Sequence, residues 1–359
     1  MQAILQAIEY YLPPQVLDNP QLCEVAPNWS PKKIQSKTGI EERRIADQEE
    51  LSSDLAVKAA TKLFESGACR PEDIDFLMLC TQSPDYFLPT TACLLQNRLG
   101  LRTSCGAYDF NLGCSGFIYG LGTAKGLIET GQARNVLLIT AETYTKFISP
   151  TDMSVRTLFG DAAAATLITA EDSLDGNVPA IGPFVYGTDG RGAKNLIVQT
   201  GGMRKPIAGF ASGGGIDDAD EHVLTPPTLY MNGPEIFLFT LEAVPDLVND
   251  ICQRAQITFD DVDLFVFHQA NEYMLRHLRD KIEIPPERFF VSMSHCGNTV
   301  SSTIPIALKE AFSAGRLKSG DRVMLVGFGV GYSWGATMLR WTMSMSASRS
   351  ATRIPPVAE

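Results

Sequence analysis

Long apolar runs are missing from this chain. None approaches the roughly 18 residues that cross a bilayer, so no membrane span is expected. The opening MQAILQAIEYYLPPQ carries no basic flank ahead of its apolar stretch, so no secretory signal is expected. Positive charge is short as well. With 30 Lys and Arg against 41 Asp and Glu, the formal net charge is −11, which argues against a partner with a phosphate backbone. The sequence has no HExxH, no paired CxxC and no acidic cluster at ligand spacing, so no metal is expected. Its eight cysteines (Cys23, Cys69, Cys80, Cys93, Cys105, Cys114, Cys252 and Cys296) are scattered. That pattern suits reduced thiols in the cytoplasm and not a disulfide framework, and most of them are expected to be buried fillers.

What is present is an ordinary globular composition, 359 residues of which 45% are apolar. The length suits two domains or one large duplicated α/β unit. A helix is expected with Leu55, Ala59 and Leu63 on its apolar face, capped by Ser53 or Asp54 and stopped by Gly67. FLMLC (76–80) reads as a buried parallel strand. A helix near 92–99, a strand near 107–110, a helix near 115–129 and the strand VLLIT (136–140) follow. Such alternation predicts a mostly parallel sheet covered by helices. GFGVGYSWG (327–335) has glycines but runs into a strand pattern, so it does not read as a dinucleotide site.

The second half repeats the first. PEDIDFLMLC (71–80) matches TFDDVDLFVFH (258–268), and GCSGFIYGLGTAKGLIETG (113–131) matches GNTVSSTIPIALKEAFSAG (297–315). The strands starting at Val136 and Val323 correspond, as do GDAAAATLIT (160–169) and SWGATMLRW (333–341). Four matches in one order at nearly constant offset indicate duplication. Superposing the halves sets Gly113-Cys114 against Gly297-Asn298 and Cys80 against His268. Cys114, His268 and Asn298 thereby become candidates for one site beyond the strand ends. The start of a helix favours a thiolate at Cys114, and Gly113, Ser115 and Gly116 leave room for a substrate. His295 and Cys296 are rivals read as structural, and His222 and His277 are read as solvent-facing.

Around these residues the chain resembles the β-ketoacyl-acyl-carrier-protein synthase III family. The resemblance rests on TGIEERRIA (38–46), DFNLGCSGF (109–117), LFGDAAAATLI (158–168), MNGPEIF (231–237), HQAN (268–271), HCGNT (295–299) and GFGVGYSWG. It implies a thiolase fold, two duplicated α/β halves in five αβαβα layers, and a homodimer with a pantetheine tunnel reaching Cys114. Cys114 would take an acyl group from an acyl thioester, with the backbone N–H groups of Cys114 and Val330 as oxyanion hole. His268 and Asn298 would then stabilise the enolate formed when malonyl-carrier protein loses carbon dioxide. Phe159, Met231, Gly233, Phe328, Gly329 and Gly331 are implied substrate contacts.

The chain also departs from the family's pattern. Lys33 falls where the family has an adenine-stacking Trp, with Lys37 as the nearby basic position. Met153 replaces an Arg, and Leu88 replaces an aromatic that closes the acyl pocket across the dimer, which admits a longer or branched acyl group. Tyr273 replaces an Arg that steers the carrier, and Arg276, Arg279 and Lys281 are the substitutes offered.

The expectation is therefore a decarboxylating condensing enzyme of the cytoplasm, using acyl-CoA or acyl-carrier protein and malonyl-carrier protein, with no cofactor, nucleic acid or membrane. Two alternatives stand beside it: an acyltransferase acting on an alcohol or amine without elongation, and a non-catalytic subunit of a synthase heterodimer. The expected organisation is a half carrying the cysteine (1–186), a connecting loop (187–227), a half carrying His and Asn (228–341) and a disordered tail (342–359).

Overall fold

Fourteen strands and nine α-helices are assigned among the described residues of the computed structural model, which are 1–172, 179–206 and 227–343. Gly213-Gly214-Gly215, His222 and the tail beyond 343 lie outside them. In the first half come β1 (Gln2–Tyr11), β2 (Gln15–Asp18), α1 (Asn19–Glu24), α2 (Pro31–Thr38), β3 (Glu42–Ile45) and α3 (Ser52–Glu65). They are followed by β4 (Phe76–Cys80), α4 (Thr91–Arg98), β5 (Gly106–Phe110), α5 (Gly116–Glu129), β6 (Asn135–Glu142), α6 (Met153–Arg156) and β7 (Ala162–Glu171). The second half runs β8 (Ile181–Thr188), β9 (Leu196–Val198), β10 (Leu229–Met231), α7 (Gly233–Ala255), β11 (Leu264–Phe267) and α8 (Glu272–Ile282). It ends with β12 (Phe289–Phe290), α9 (Thr303–Ser313), β13 (Arg322–Gly329) and β14 (Ser333–Arg340).

The duplication is visible in the strand order. One five-stranded sheet runs β1-β7-β6-β4-β5 and the other, read from the same edge, β8-β14-β13-β11-β12. Corresponding pairs also share direction. β4 is parallel to β5 and β6, as β11 is to β12 and β13, and the remaining two pairs of each sheet are antiparallel. The sequence reason is the solid apolar character of β4 and of its counterpart LFVF in β11, buried on both faces apart from the half-buried Phe76 that opens β4.

Three apolar clusters define five layers. α5 and α9 lie between the sheets, where Phe117, Leu121, Ile304 and Leu308 pack with Leu138 and Leu325. α3 and α4 cover the outside of the first sheet, and α7 and α8 that of the second. α5 can occupy the middle because it is apolar or small nearly all round, as a helix between two sheets must be.

Two expectations are corrected. β8 starts at Ile181, ahead of the boundary expected at 186, and pairs with β14, so the second half begins earlier. The expected loop 187–227 holds the end of β8, a 3-10 turn (Gly190–Lys194) and β9. Neither Ser53 nor Asp54 is the N-cap of α3. That place is Leu51, and Asp54 reaches back to accept its N–H at 2.8 Å.

Candidate active site

Each half contributes a turn between a strand and a buried helix. In the first, Cys114 sits two residues ahead of α5, and Ser115 bonds across the halves to Ser333. In the second, His268 directly follows β11, and its N–H donates to Val326 at 2.7 Å, continuing the ladder with β13. Asn298 is held by the other half. Its N–H donates to Leu158 at 2.8 Å, and its carbonyl accepts from Gly160 at 3.0 Å. Two glycines permit this crossing. A Cβ on Gly160 would lie 2.2 Å from the Cys296 carbonyl, and one on Gly297 (φ +75°) 2.8 Å from that of Leu158.

Cys114, His268 and Asn298 line one cavity of about 700 Å³, the size of a small-molecule site. All three are at least 95% buried, with 5%, 2% and 5% of their surface exposed. Among the expected substrate residues, Phe159, Met231, Gly233, Phe328 and Gly329 line it too. Gly329 is pressed against the sulfur, since a Cβ there would stand 2.7 Å from Cys114 Cβ and 2.8 Å from Sγ. The backbone N–H groups of Val330 and of Cys114 itself, the pair expected to form the oxyanion hole, lie near enough to the sulfur to favour its charged form.

Electrostatics revises the thiolate expectation. Burial, and then Glu142, push the Cys114 thiol up to about 12, and the N–H groups of Val330 and Cys114 only partly oppose this. The resting group is a thiol. Burial pushes the His268 imidazole down to about 3, so it is neutral at physiological pH. Its Nδ1 lies 2.7 Å from the Thr303 hydroxyl, which is itself 3.1 Å from the Val300 carbonyl. The Asn298 carbonyl oxygen accepts the Val300 N–H at 2.9 Å, which leaves the amide nitrogen facing Ala270 O at 3.4 Å.

Other expected residues lie elsewhere. Met153 packs with Leu22 and Ile34 in a small apolar cluster, because an uncharged side chain there turns inward. Gly331 belongs to the turn between β13 and β14 and does not line the cavity. Leu88 is 87% exposed on the loop before α4 and does not line the cavity of its own chain. Lys37 and Tyr273 do line it. Lys33 stands one step back, over the Trp29 ring at 5.0 Å, and Arg276 is paired with Glu272. Of the alternative thiols and imidazoles, Cys296 is buried and His295 pairs with Glu310 at 2.9 Å, outside the cavity. Cys80 is buried and donates to Leu112 O at 2.9 Å. All eight cysteines are free; Cys93 is exposed and Cys23, Cys69 and Cys105 are half-buried, so the filler expectation fits only some of them.

Sequence reasoning missed Trp29, which lines the cavity four residues before the position where an aromatic was sought. It also missed Thr303. The run TVSST hid which hydroxyl would meet His268, because the 3-10 turn at Val300–Ser302 breaks the helical spacing that would have placed it.

Comparison with known proteins gives the family. The family model described as 3-oxoacyl-[acyl-carrier-protein (ACP)] synthase III matches residues 108–190, and that of its C-terminal part matches 252–341. A β-ketoacyl-[acyl-carrier-protein] synthase III of Caldanaerobacter subterraneus subsp. tengcongensis is 36% identical over 332 residues, covering 92% of this chain and 96% of the relative. A crystal structure of a 3-oxoacyl-(acyl-carrier-protein) synthase III superposes with a TM-score of 0.89 at 52% identity, covering 95% of this chain and 100% of that one. The Burkholderia xenovorans LB400 3-oxoacyl-(acyl-carrier protein) synthase gives a TM-score of 0.83 at 35% identity, with 95% of each chain covered. A duplicated α/β scaffold that brings a cysteine, a histidine and an asparagine to one buried cavity, over nearly the full length of such relatives, means that the chain belongs to the β-ketoacyl-[acyl-carrier-protein] synthase III family.

Proposed function

We propose that the cavity carries out both halves of a decarboxylative Claisen condensation, with Cys114 as acyl carrier. The observation that supports this most directly is the convergence of Cys114, His268 and Asn298 on one apolar cavity. In the first half-reaction the Cys114 sulfur attacks the carbonyl carbon of an acyl thioester, and the N–H groups of Val330 and Cys114 receive the oxyanion. The tetrahedral species collapses, the thiol leaving group departs, and the proton lost by Cys114 ends on that thiol. In the second, the carboxylate of malonyl-carrier protein leaves as carbon dioxide, and its electron pair forms the enolate. His268 and Asn298 stabilise that enolate at the thioester oxygen. The enolate carbon attacks acyl-Cys114, whose sulfur leaves as thiolate and takes a proton from water.

The neutral state of His268 suits this role. The tautomer this role needs carries its ring hydrogen on Nε2, ready for the thioester oxygen, with Nδ1 accepting from the Thr303 hydroxyl at 2.7 Å; that hydroxyl then turns away from its other acceptor, the Val300 carbonyl at 3.1 Å. One such donor is worth roughly 10²–10³ in rate.

Binding follows from the cavity mouth. Trp29 offers a stacking face beside Lys37, the arrangement needed for a nucleotide-bearing thiol such as CoA. α2 presents Lys32, Lys33 and Lys37 to solvent, a local basic patch for an acidic carrier on a chain of net charge −11. Tyr273 contributes an apolar contact at the same mouth. The exposed Tyr86 and Leu88 are surfaces for a second copy, making the working form a homodimer.

The test separates the half-reactions. Acyl-CoA should label Cys114 by mass spectrometry, and Cys114→Ala should carry no adduct. His268→Ala and Asn298→Ala should still be acylated but release no carbon dioxide from malonyl-carrier protein. An adduct on Cys114→Ala, or equal loss of both steps in the other two variants, overturns the assignment.

A further inference from the structure

Glu142, at the end of β6, is fully buried and has no part in the chemistry above. Its Oε1 is 2.8 Å from the Ser301 hydroxyl, and its Oε2 accepts from the Gln82 N–H at 3.0 Å and faces the Ser83 hydroxyl at 3.2 Å. Gln82 and Ser83 belong to the half that carries Cys114. Ser301 belongs to the half that carries His268 and Asn298. A single carboxyl therefore joins the two halves beside the cavity.

The point it grips is unusual. Ser301 follows Val300, a β-branched residue held at φ +56°, a conformation that such side chains rarely adopt. Asn298 bonds that residue directly, and His268 stands one contact further off, behind Thr303. The Val300 N–H donates to the Asn298 side chain at 2.9 Å. The Val300 carbonyl lies 3.1 Å from the Thr303 hydroxyl, which contacts His268 Nδ1 at 2.7 Å. Ser302, next in the turn, is also tied to β6, 2.8 Å from the Thr140 hydroxyl and 3.1 Å from its carbonyl. A strained turn persists only where its surroundings over-determine it, and here the surroundings are the last residues of β6.

We propose that Glu142 is a positioning residue, bracing the strained Val300 turn through Ser301 so that His268 and Asn298 share the orientation that enolate stabilisation needs. The inference rests on the roles given to His268 and Asn298 above. Burial holds the Glu142 carboxyl up to about 8, so at neutral pH it is mostly the uncharged acid. The ionisable groups near it are Cys80, Cys114, Tyr144 and Asp161, none of them cationic. An uncharged amide should therefore be able to replace it.

The test compares Glu142→Ala, Ser301→Ala and Glu142→Gln in the full-length enzyme, with His268→Ala as reference. Acylation of Cys114 and carbon dioxide release are measured separately, and thermal unfolding reports on folding. Misplacing a catalytic group by about 1 Å can cost about 10²-fold. Glu142→Ala and Ser301→Ala should thus lose roughly 10- to 100-fold in condensation and less than about threefold in acylation. Glu142→Gln should recover most of the lost condensation. Parallel loss of both steps in all three variants, or condensation within about threefold of the parent in Ser301→Ala and Glu142→Ala, overturns the brace. Should Glu142→Ala fail to fold, Ser301→Ala and Glu142→Gln carry the comparison. If His268→Ala itself still condenses, the error lies in the roles assigned to the site and not in the brace.

Discussion

Gly329 offers the sharpest test of the geometry around the nucleophile. A Cβ at this position would stand 2.7 Å from Cys114 Cβ and 2.8 Å from Sγ, about 0.7 Å short of the 3.4 Å at which ordinary contact begins. Neither neighbour can yield easily. Cys114 is fixed at a helix start and is 95% buried, and Gly329 is paired with Ser333 in the β13-β14 ladder. Overpacking of this kind costs about 1–3 kcal/mol in stability. The functional cost should be larger, because the displaced atom is the one that attacks in the proposed mechanism. A shift near 1 Å is worth about 10²-fold, so Gly329→Ala should lower the rate of Cys114 acylation by roughly 10- to 100-fold. Gly126 supplies the control. It lies within α5, and a Cβ there meets nothing within 4 Å. Gly126→Ala should raise stability by about 0.5–1 kcal/mol and leave acylation unchanged. The measurements are the rate of adduct formation by intact-mass spectrometry and the thermal midpoint of each variant. Acylation of Gly329→Ala at the parent rate would refute the close approach of β13 to the sulfur.

Other consequences follow from burial and charge. Because the Cys114 thiol is pushed up to about 12, its labelling by iodoacetamide, resolved by peptide mass spectrometry, should climb about tenfold per pH unit from pH 6 to 9 without a plateau; a plateau below pH 9 would mean a stabilised thiolate. His268, held down to about 3, should give condensation no acid limb near pH 6.5, and a break there in carbon dioxide release would contradict a neutral ring. Glu142 rises from 4.5 to about 8 on folding, so the folded state keeps a proton that the unfolded chain loses, and stability is lost as pH rises between those values. Glu142→Gln removes that penalty, so its thermal midpoint should gain on the parent's from about pH 5 to pH 8 and hold the gain above. A gap independent of pH would refute a raised carboxyl. Trp29→Ala should raise KM for a CoA thioester about tenfold or more with little change in kcat, since stacking on an aromatic is worth about 1–3 kcal/mol; an unaltered KM would remove Trp29 from the binding site.

The duplication was legible because it is written in strands that both sheets must bury. FLMLC in β4 and LFVF in β11 are apolar throughout, and the aspartates ahead of them serve the same purpose in each half. Asp75 accepts the Arg134 and Asn135 N–H groups at 2.8 and 3.0 Å, and Asp263 that of Arg322 at 2.8 Å. β8 was not legible. It is an edge strand of mixed burial beginning IGPF, where glycine and proline read as a loop, and its pairing with β14 alone makes it a strand. Sequence could bring Cys114, His268 and Asn298 together through the repeat, but it could not weigh helix-start stabilisation against burial. The weight is decided by residues far along the chain, Tyr144, Phe159, Leu196 and Leu229 among them, which wall the sulfur from water and overcome the two N–H groups that favour its charge. Trp29 escaped for a geometric reason. The family's position in the segment before TGI falls on Lys33, and that correspondence holds only while the chain ahead of Thr38 keeps the family's path. Ser30 instead caps the helix, and the chain ahead of it folds back until Trp29 lies beneath the Lys33 ammonium and faces the cavity. Fixed spacing carries a residue's role only as far as the element that holds it, and beyond a cap the turn decides which side chain arrives.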